Sequence, residues 1–155
     1  MLICFSIFCS TLTADIGVGG LLGFDFGTKS GSFEAATVRW DTNPWCFSAN
    51  FYPFKNKFSA TSDNWFINEK FSGILDYYCF WGISAMLGFS DNFDLTTGAR
   101  IGAGLDWFVL DKRELEFFVQ GAWNPYLGFG IGNDFDLIFV PLNFPISTGA
   151  RWWFR

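Results

Sequence analysis

Hydrophobic and polar residues alternate one by one over long stretches of this chain, most clearly in its last stretch. Positions of one parity there are mainly apolar: Ile146, Thr148, Ala150, Trp152 and Phe154. Positions of the other parity are small, charged or aromatic: Ser147, Gly149, Arg151 and Trp153. Side chains of an extended strand point alternately to opposite faces. The segment 147–155, together with Ile146 before it, therefore predicts a strand with one apolar and one more polar face.

The same alternation predicts seven earlier strands, separated by residues that favour turns. Their approximate ranges are 15–26, 33–40, 45–52, 63–70, 74–88, 94–109 and 115–123. The alternation is clearest in 94–109 and weakest in 63–70, where Asn68, Glu69 and Lys70 interrupt it. We therefore expect eight strands, the last of them closing the chain.

The predicted connections differ in length in a regular way. Those at 27–32, 53–62, 89–93 and 125–144 are the longer ones, and those between them, such as 41–44, are tight. We expect 53–62 to be a polar loop and 125–144 to be long and irregular. Barrels of the bacterial outer membrane have long outer loops and short periplasmic turns. The lengths thus favour an up-and-down barrel with both chain ends on the periplasmic side.

Composition supports a barrel that spans a membrane. Of the 155 residues, 50% are hydrophobic and only 16% are charged, against roughly a quarter in an average soluble domain. Beyond the N-terminus no uninterrupted apolar run reaches the ~18 residues that a membrane-spanning helix needs. The fold class we predict is all-β, an eight-stranded antiparallel up-and-down transmembrane β-barrel. A soluble, lipocalin-like barrel that carries a hydrophobic ligand is the alternative.

Alternation alone does not say which face points inward, and glycine decides in favour of the membrane orientation. The parity that carries the charges also carries four glycines: Gly98, Gly102, Gly104 and Gly149. On the outer surface of a soluble barrel these glycines would only weaken the strands. Inside a narrow lumen they leave room for long charged side chains. We therefore expect the apolar face to contact lipid.

The polar face gathers the residues that would surround the lumen. They are Arg100, Arg151, Glu116, Asp106, Gln120 and Asp76. One interpretation is a gate or ligand site, because Arg–carboxylate pairs can form and break at a modest cost in free energy. The other, which we favour, is a static polar core in which each buried charge is paired. An eight-stranded barrel is just wide enough to be filled by side chains, so a wide channel is not expected.

Other chemistry has little support in the sequence. The chain has no histidine, the usual base of outer-membrane hydrolases, so we expect neither an enzyme nor a cofactor nor a metal site. Its net charge of −5 argues against nucleic acid as a partner. Cys46 and Cys79 fall on opposite faces, which argues against a disulfide. Six tryptophans are expected in an interfacial girdle: Trp45, Trp65, Trp81, Trp107, Trp123 and Trp152.

The N-terminal residues 1–14 have the character of an export signal. A short apolar segment lies between Leu2 and Phe8, and Ala14 is a suitable small residue before a cleavage point, although a basic start is missing. We therefore expect a signal peptide over 1–14, truncated at its basic start, and a barrel domain over 15–155.

Several motifs resemble those of known barrels. They are the segments 77–83 (YYCFWGI), 97–100 (TGAR), 104–107 (GLDW), 114–119 (ELEFFV) and 149–154 (GARWWF). With these motifs the chain resembles the small eight-stranded outer-membrane barrels related to the OmpA transmembrane domain and OmpW. It is more closely similar to a family of small spirochaetal outer-membrane barrels.

The resemblance implies an outer-membrane location and no shared enzymatic activity. It also implies two partners, the lipid of the outer membrane and the barrel-assembly machinery, which reads the terminal aromatic that Arg155 follows here. The function we expect is that of an integral barrel with a structural or narrow-pore role. The alternative is a barrel whose segment 125–144 binds an extracellular ligand.

Overall fold

A computed structural model describes residues 15–28, 30–89, 93–110, 113–131 and 135–154. The expected signal at 1–14 and Arg155 lie outside these ranges. The described residues form ten strands: β1 (Ile16–Gly27), β2 (Gly31–Trp40), β3 (Trp45–Tyr52), β4 (Lys57–Ser72), β5 (Leu75–Phe89), β6 (Phe93–Val109), β7 (Leu115–Trp123), β8 (Tyr126–Ile131), β9 (Phe135–Val140) and β10 (Asn143–Phe154). Among them, no helix has the length and apolar character that crossing a membrane requires.

The strands close into an antiparallel barrel with eight walls. Each strand from β1 to β5 pairs with the strand that follows it. β6 then pairs with β7, β7 with β10, and β10 with β1, which closes the barrel. β7 pairs with Ile101–Val109 of β6, and β8 with Phe93–Gly98 of the same strand. β7 and β8 are therefore successive parts of one wall. The fold class predicted from the alternation is confirmed.

The two ends of the barrel are distinguished by their connections. β1 begins and β10 ends at one end, which we call the terminal end. The connections β1–β2, β3–β4, β5–β6 and β8–β9 lie at the opposite, distal end. The connections at the distal end span 28–30, 53–56, 90–92 and 132–134, and those at the terminal end include 41–44 and 110–114. The distal connections are not the longer ones, so the expected contrast in loop length is wrong.

β4 is longer than the sequence predicted, because part of the expected polar loop 53–62 is strand. β4 runs from Lys57 to Ser72, whereas we expected a strand only over 63–70. Its register against β5 shifts between Trp65 and Ile67, so Phe66 is an extra residue that reverses the parity as far as a second shift between Lys70 and Ser72. This bulge is why the alternation looked weak there.

The expected irregular segment 125–144 is also wrong, because β8 and β9 form a regular hairpin within it. Pro125 and Pro141 suggested a loop, yet each lies between strands, where no ladder hydrogen bond is needed. Gly128 and Gly130, within the segment expected to be irregular, are alternate inward positions of β8. At Gly128 a Cβ atom would meet the Leu95 carbonyl oxygen at 2.0 Å. These glycines thus permit close strand pairing.

The barrel wall separates apolar from charged side chains. Ile83 on β5 is 60% exposed on the outer surface, whereas Ser84 beside it is buried in the lumen. The same alternation runs along β6 and β10. On β2, Glu34 is an outward exception near the distal end. The lumen is a packed core of aromatic rings and charged groups, and the outer surface is mainly apolar.

The inward glycines make room for aromatic rings, which corrects the expectation that they accommodate long charged side chains. A Cβ atom on Gly104 would lie 2.4 Å from the Tyr78 ring. At Gly102 it would lie 2.5 Å from the Phe80 ring, and at Gly149 2.7 Å from the Phe118 ring. All three rings are fully buried: Tyr78, Phe80 and Phe118. Glycine at these positions is a packing requirement of the lumen.

We expect Gly104→Ala to lower the free energy of unfolding by about 1–3 kcal/mol, the usual cost of overpacking. The added methyl group has no room, because Tyr78 is stacked on Trp65 with ring centroids 3.5 Å apart. Gly20→Ala is the matched control, since its Cβ would point outward and meet its nearest atom at 3.6 Å. Urea unfolding in lipid vesicles measures both. Equal stability of the two variants would contradict the packing described here.

Candidate functional site in the barrel lumen

A buried ion pair joins two neighbouring strands in the terminal half of the lumen. Arg151 on β10 lies directly opposite Glu116 on β7, and its Nη1 donates to the Glu116 carboxylate. Trp153 Nε1 donates to the other oxygen of that carboxylate at 2.7 Å. Arg151 is 1% exposed and Glu116 is 0% exposed. Both oxygens of Glu116 are therefore bonded to groups of β10.

The guanidinium of Arg151 also contacts side chains of two further strands. Its Nε donates to Thr37 Oγ1 at 3.3 Å, and its Nη2 lies 3.4 Å from Cys46 Sγ. Its Cζ lies 4.0 Å from the centre of the Phe118 ring, within the range of a cation–π contact. Arg151 thus links β10 across the lumen to β2 and β3.

A second arginine, Arg39 on β2, brings another carboxylate close to this pair. Its Nη1 lies 3.7 Å from Asp106 and 3.9 Å from Glu116, which are ion-pair distances. Its Cζ lies 3.8 Å from the centre of the Trp65 ring, which stacks in turn on Tyr78. Arginine and rings together fill the cross-section of the lumen at this level.

The remaining residues predicted for the lumen are present there but form separate contacts. Gln120 accepts a hydrogen bond from the Tyr78 hydroxyl at 3.0 Å. Asp76 pairs with Arg113 at the rim of the terminal end. Arg100 donates from Nε to Asp63 Oδ1 at 2.9 Å and does not pair with the other predicted residues. The six residues therefore form four groups, of which only that of Arg151, Glu116 and Asp106 brings several of them together.

Four members of these groups were missed at the sequence level. They are Arg39, Asp63, Arg113 and Trp65. The faces of segment 33–40 would have placed Arg39 inward, because it shares the parity of Phe33 and Thr37, both buried. Trp65 was assigned to the interfacial girdle, and this is wrong: it is 4% exposed and lies in the lumen. The bulge at Phe66 hides its parity.

Two small adjoining cavities lie in the distal half of the lumen, next to Arg100. Their volumes are about 20 and 10 Å³. Asn50, Thr61 and Arg100 contribute to both walls. A cavity needs roughly 10–15 Å³ to hold one water molecule, so this space suits one or two waters and no larger solute. Side chains fill most of the described lumen.

The described residues include neither a cluster of metal ligands nor a disulfide. No group of three or more acidic, cysteine or histidine side chains there could hold a metal ion. Cys46 points into the lumen and Cys79, of opposite parity relative to the wall, is partly exposed outside. Both thiols are free, as their predicted faces require.

We expect Arg100→Leu to destabilise the barrel by about 1–3 kcal/mol, because it leaves the buried carboxylate of Asp63 without its hydrogen-bond donor. Arg100 itself lines the two small cavities, so water can take the place of its guanidinium, and the expected cost is smaller than for a pair that adjoins no such cavity. Heat-modifiable migration on a gel measures the loss of folded barrel. The double variant Arg100→Leu/Asp63→Leu recovers stability if the pairing is the cause. An unchanged unfolding temperature for the single variant would argue against that pairing.

The comparison with known proteins agrees with the fold. The crystal structure of Neisserial surface protein A is similar to this chain with a TM-score of 0.57 and 13% sequence identity. The similarity covers 91% of this chain and 97% of that one. No family model and no curated protein matches the sequence. At this level of identity the similarity establishes a common eight-stranded barrel fold.

Proposed function

We propose that this chain is an integral outer-membrane protein whose barrel has a structural role and a sealed lumen. The observation that carries the proposal is the contrast in burial between neighbouring residues on the paired strands β7 and β10. Arg151 and Glu116 are buried in the lumen, whereas Trp152 and Phe117 beside them are 44% and 36% exposed outside. A closed sheet that is apolar outside and charged inside suits a bilayer.

A soluble carrier of hydrophobic ligands is less consistent with this arrangement. Such a barrel would hold its large apolar side chains in the lumen, around the ligand. Here Ile83 and Ile101 face outward and are more than half exposed. The two lumen cavities described above, of about 20 and 10 Å³, are too small for such a ligand. Outer-membrane lipid is therefore the partner we propose for the outer surface, and the barrel-assembly machinery is the partner for insertion.

The structural role is favoured over a narrow pore because of how the terminal half of the lumen is filled. Arg39, Trp65 and Tyr78 stack across it, and Arg151 and Glu116 occupy the remaining width. Opening a path would require breaking buried ion pairs, which is costly. The lumen contacts have the character of a static core, and we propose no enzymatic activity for it.

Two measurements test the proposal. Cells that express the chain with its native leader are fractionated, and we expect the protein in the outer membrane in heat-modifiable form. The purified protein is then inserted into a planar bilayer, and we expect no regular channel events at neutral pH. Recovery in the soluble fraction would contradict the location. Reproducible unitary conductance would contradict the sealed lumen and favour the narrow-pore role.

A surface-binding role is the second candidate, and one feature favours it. The β8–β9 hairpin extends past the closed part of the barrel at the distal end. Its outer face carries exposed apolar side chains, including Leu137 and Phe139. The segment 125–144, expected from the sequence as a binding loop, thus contains two regularly paired strands as a candidate surface.

A further inference from the structure

One strand of the described sheet has a neighbour on one side only. β9 (Phe135–Val140) pairs with β8, and it is the last strand in the sheet order. The pairing of β10 with β1 stops at Asn143 and Gly27, and Thr28 N reaches only as far as the Leu142 carbonyl, at 3.1 Å. Beyond that point no described strand adjoins β9 on this side. We call this side of Phe135–Val140 the β9 edge.

The β9 edge lies outside the membrane if the proposed function is correct, and the inference rests on that function. A spanning strand needs about 9–11 residues. The closed part of the barrel already provides them, since β1 pairs with β10 over the 12 residues Ile16–Gly27. An open sheet edge is not tolerated against acyl chains, because its N–H and C=O groups would lack partners there. The edge therefore faces water at the distal end.

Within the described residues, the β9 edge carries no lysine, proline or bulge and no covering strand, which are features that normally protect an edge strand. Proteins protect exposed edges with lysine, proline, bulges or a covering segment. The sequence of β9 is FDLIFV, in which Asp136 is the only charged residue. Leu137 is 79% exposed and Phe139 is 66% exposed. An unprotected apolar edge in water is a surface that another chain can pair with.

We infer that the β9 edge binds an extended segment of a partner protein, which adds a strand beside β9 by β-augmentation. The unpaired backbone determines the class of partner, because only another extended backbone can satisfy its N–H and C=O groups in register. Leu137 and Phe139 favour a segment with apolar side chains at alternate positions on the outer face. Asp136 favours a segment that is neutral or basic.

A peptide pair separates backbone pairing from simple apolar adhesion. The probe is a fluorescent peptide of alternating valine and threonine with a lysine at each end. The control peptide has the same side chains but is N-methylated at alternate backbone amides, so it cannot complete a ladder. With the full chain folded in detergent micelles, we expect the probe to bind at least about tenfold more tightly than its methylated form.

Variants locate the binding on the protein. Leu137→Lys/Phe139→Lys adds charge along the edge strand and is expected to weaken binding of the probe by about tenfold or more. The control variant is Phe54→Lys, which places a charge in the connection between β3 and β4 instead of on β9. Phe54 is 89% exposed in the connection 53–56, and its charge leaves binding unchanged. Heat-modifiable migration verifies that each variant is folded.

Three outcomes would overturn the inference. Equal affinity for the two peptides would mean that an apolar patch binds without strand pairing. No binding of the unmodified probe to the folded chain would mean that the edge accepts no strand. Concentration-dependent dimers of the wild-type chain that disappear in Leu137→Lys/Phe139→Lys would mean that a second copy covers the edge. Because the assay uses folded protein in micelles, these outcomes are distinct from a failure to locate the chain in the outer membrane.

Discussion

Replacing Arg151 by leucine lowers the free energy of unfolding of the barrel by about 3–5 kcal/mol, the cost of leaving a buried charge unpaired. Glu116 is 0% exposed and receives its charged hydrogen bond from Arg151. Neither of the two cavities described above is lined by Arg151 or Glu116, whereas Arg100 lines both. The variant also loses the contact with the Phe118 ring. Urea unfolding in lipid vesicles, followed by gel migration, measures the change.

Two controls separate pairing from a general effect of removing arginine. Arg113→Leu removes an arginine whose side chain is 32% exposed at the rim, although its partner Asp76 is buried, and it costs about 1–3 kcal/mol, less than the loss at Arg151. Arg151→Leu/Glu116→Leu removes both charges and recovers much of the loss, because no charge is left without a partner. Wild-type stability for Arg151→Leu would contradict a dry, paired lumen.

Placing arginine on the outer surface has the second-largest expected effect. Ile83 is near the middle of β5, points outward and pairs with Ser62 and Ala99, neither of which can neutralise a charge. In a bilayer, Ile83→Arg costs about 2–4 kcal/mol, as for arginine at the midplane of a barrel. The measurement is the free energy of unfolding in lipid vesicles.

The matched control lies on the same outer face but beyond the closed part of the barrel. Leu137→Arg, on β9, changes stability by no more than about 1 kcal/mol, because the charge remains in water. Similar small costs at both positions would mean that Ile83 does not contact acyl chains. Similar large costs would mean that the β8–β9 hairpin lies within the membrane.

The alternation of side chains was sufficient to predict the fold class, because every wall strand must satisfy it residue by residue. It failed where the register changes. Phe66 is one extra residue in β4, and after it the apolar parity is reversed, which resembles a loop in the sequence. Pro125 and Pro141 gave the same impression around β8 and β9, although each proline lies between strands.

The lumen was predicted less completely than the fold. Parity placed Arg151, Glu116 and Asp106 on one inner surface, but parity does not give the distances between strands that are far apart in sequence. Parity could have placed Arg39 inward, but its pairing with Asp106, like that of Asp63 with Arg100, became recognisable only once the barrel closed. Which charge pairs with which ring or carboxylate depends on the way the sheet closes, and no local pattern contains that information.

The most direct test of the membrane orientation is whether the acyl chains of the lipid contact the outward tryptophans of the protein. Six tryptophans lie on the outward parity of their strands: Trp40, Trp45, Trp81, Trp107, Trp123 and Trp152. The wild-type chain is folded into vesicles of lipid with brominated acyl chains and into vesicles of ordinary lipid. We expect bromine to quench most of the tryptophan fluorescence. Unquenched fluorescence from a folded chain that remains in buffer without lipid would contradict the account.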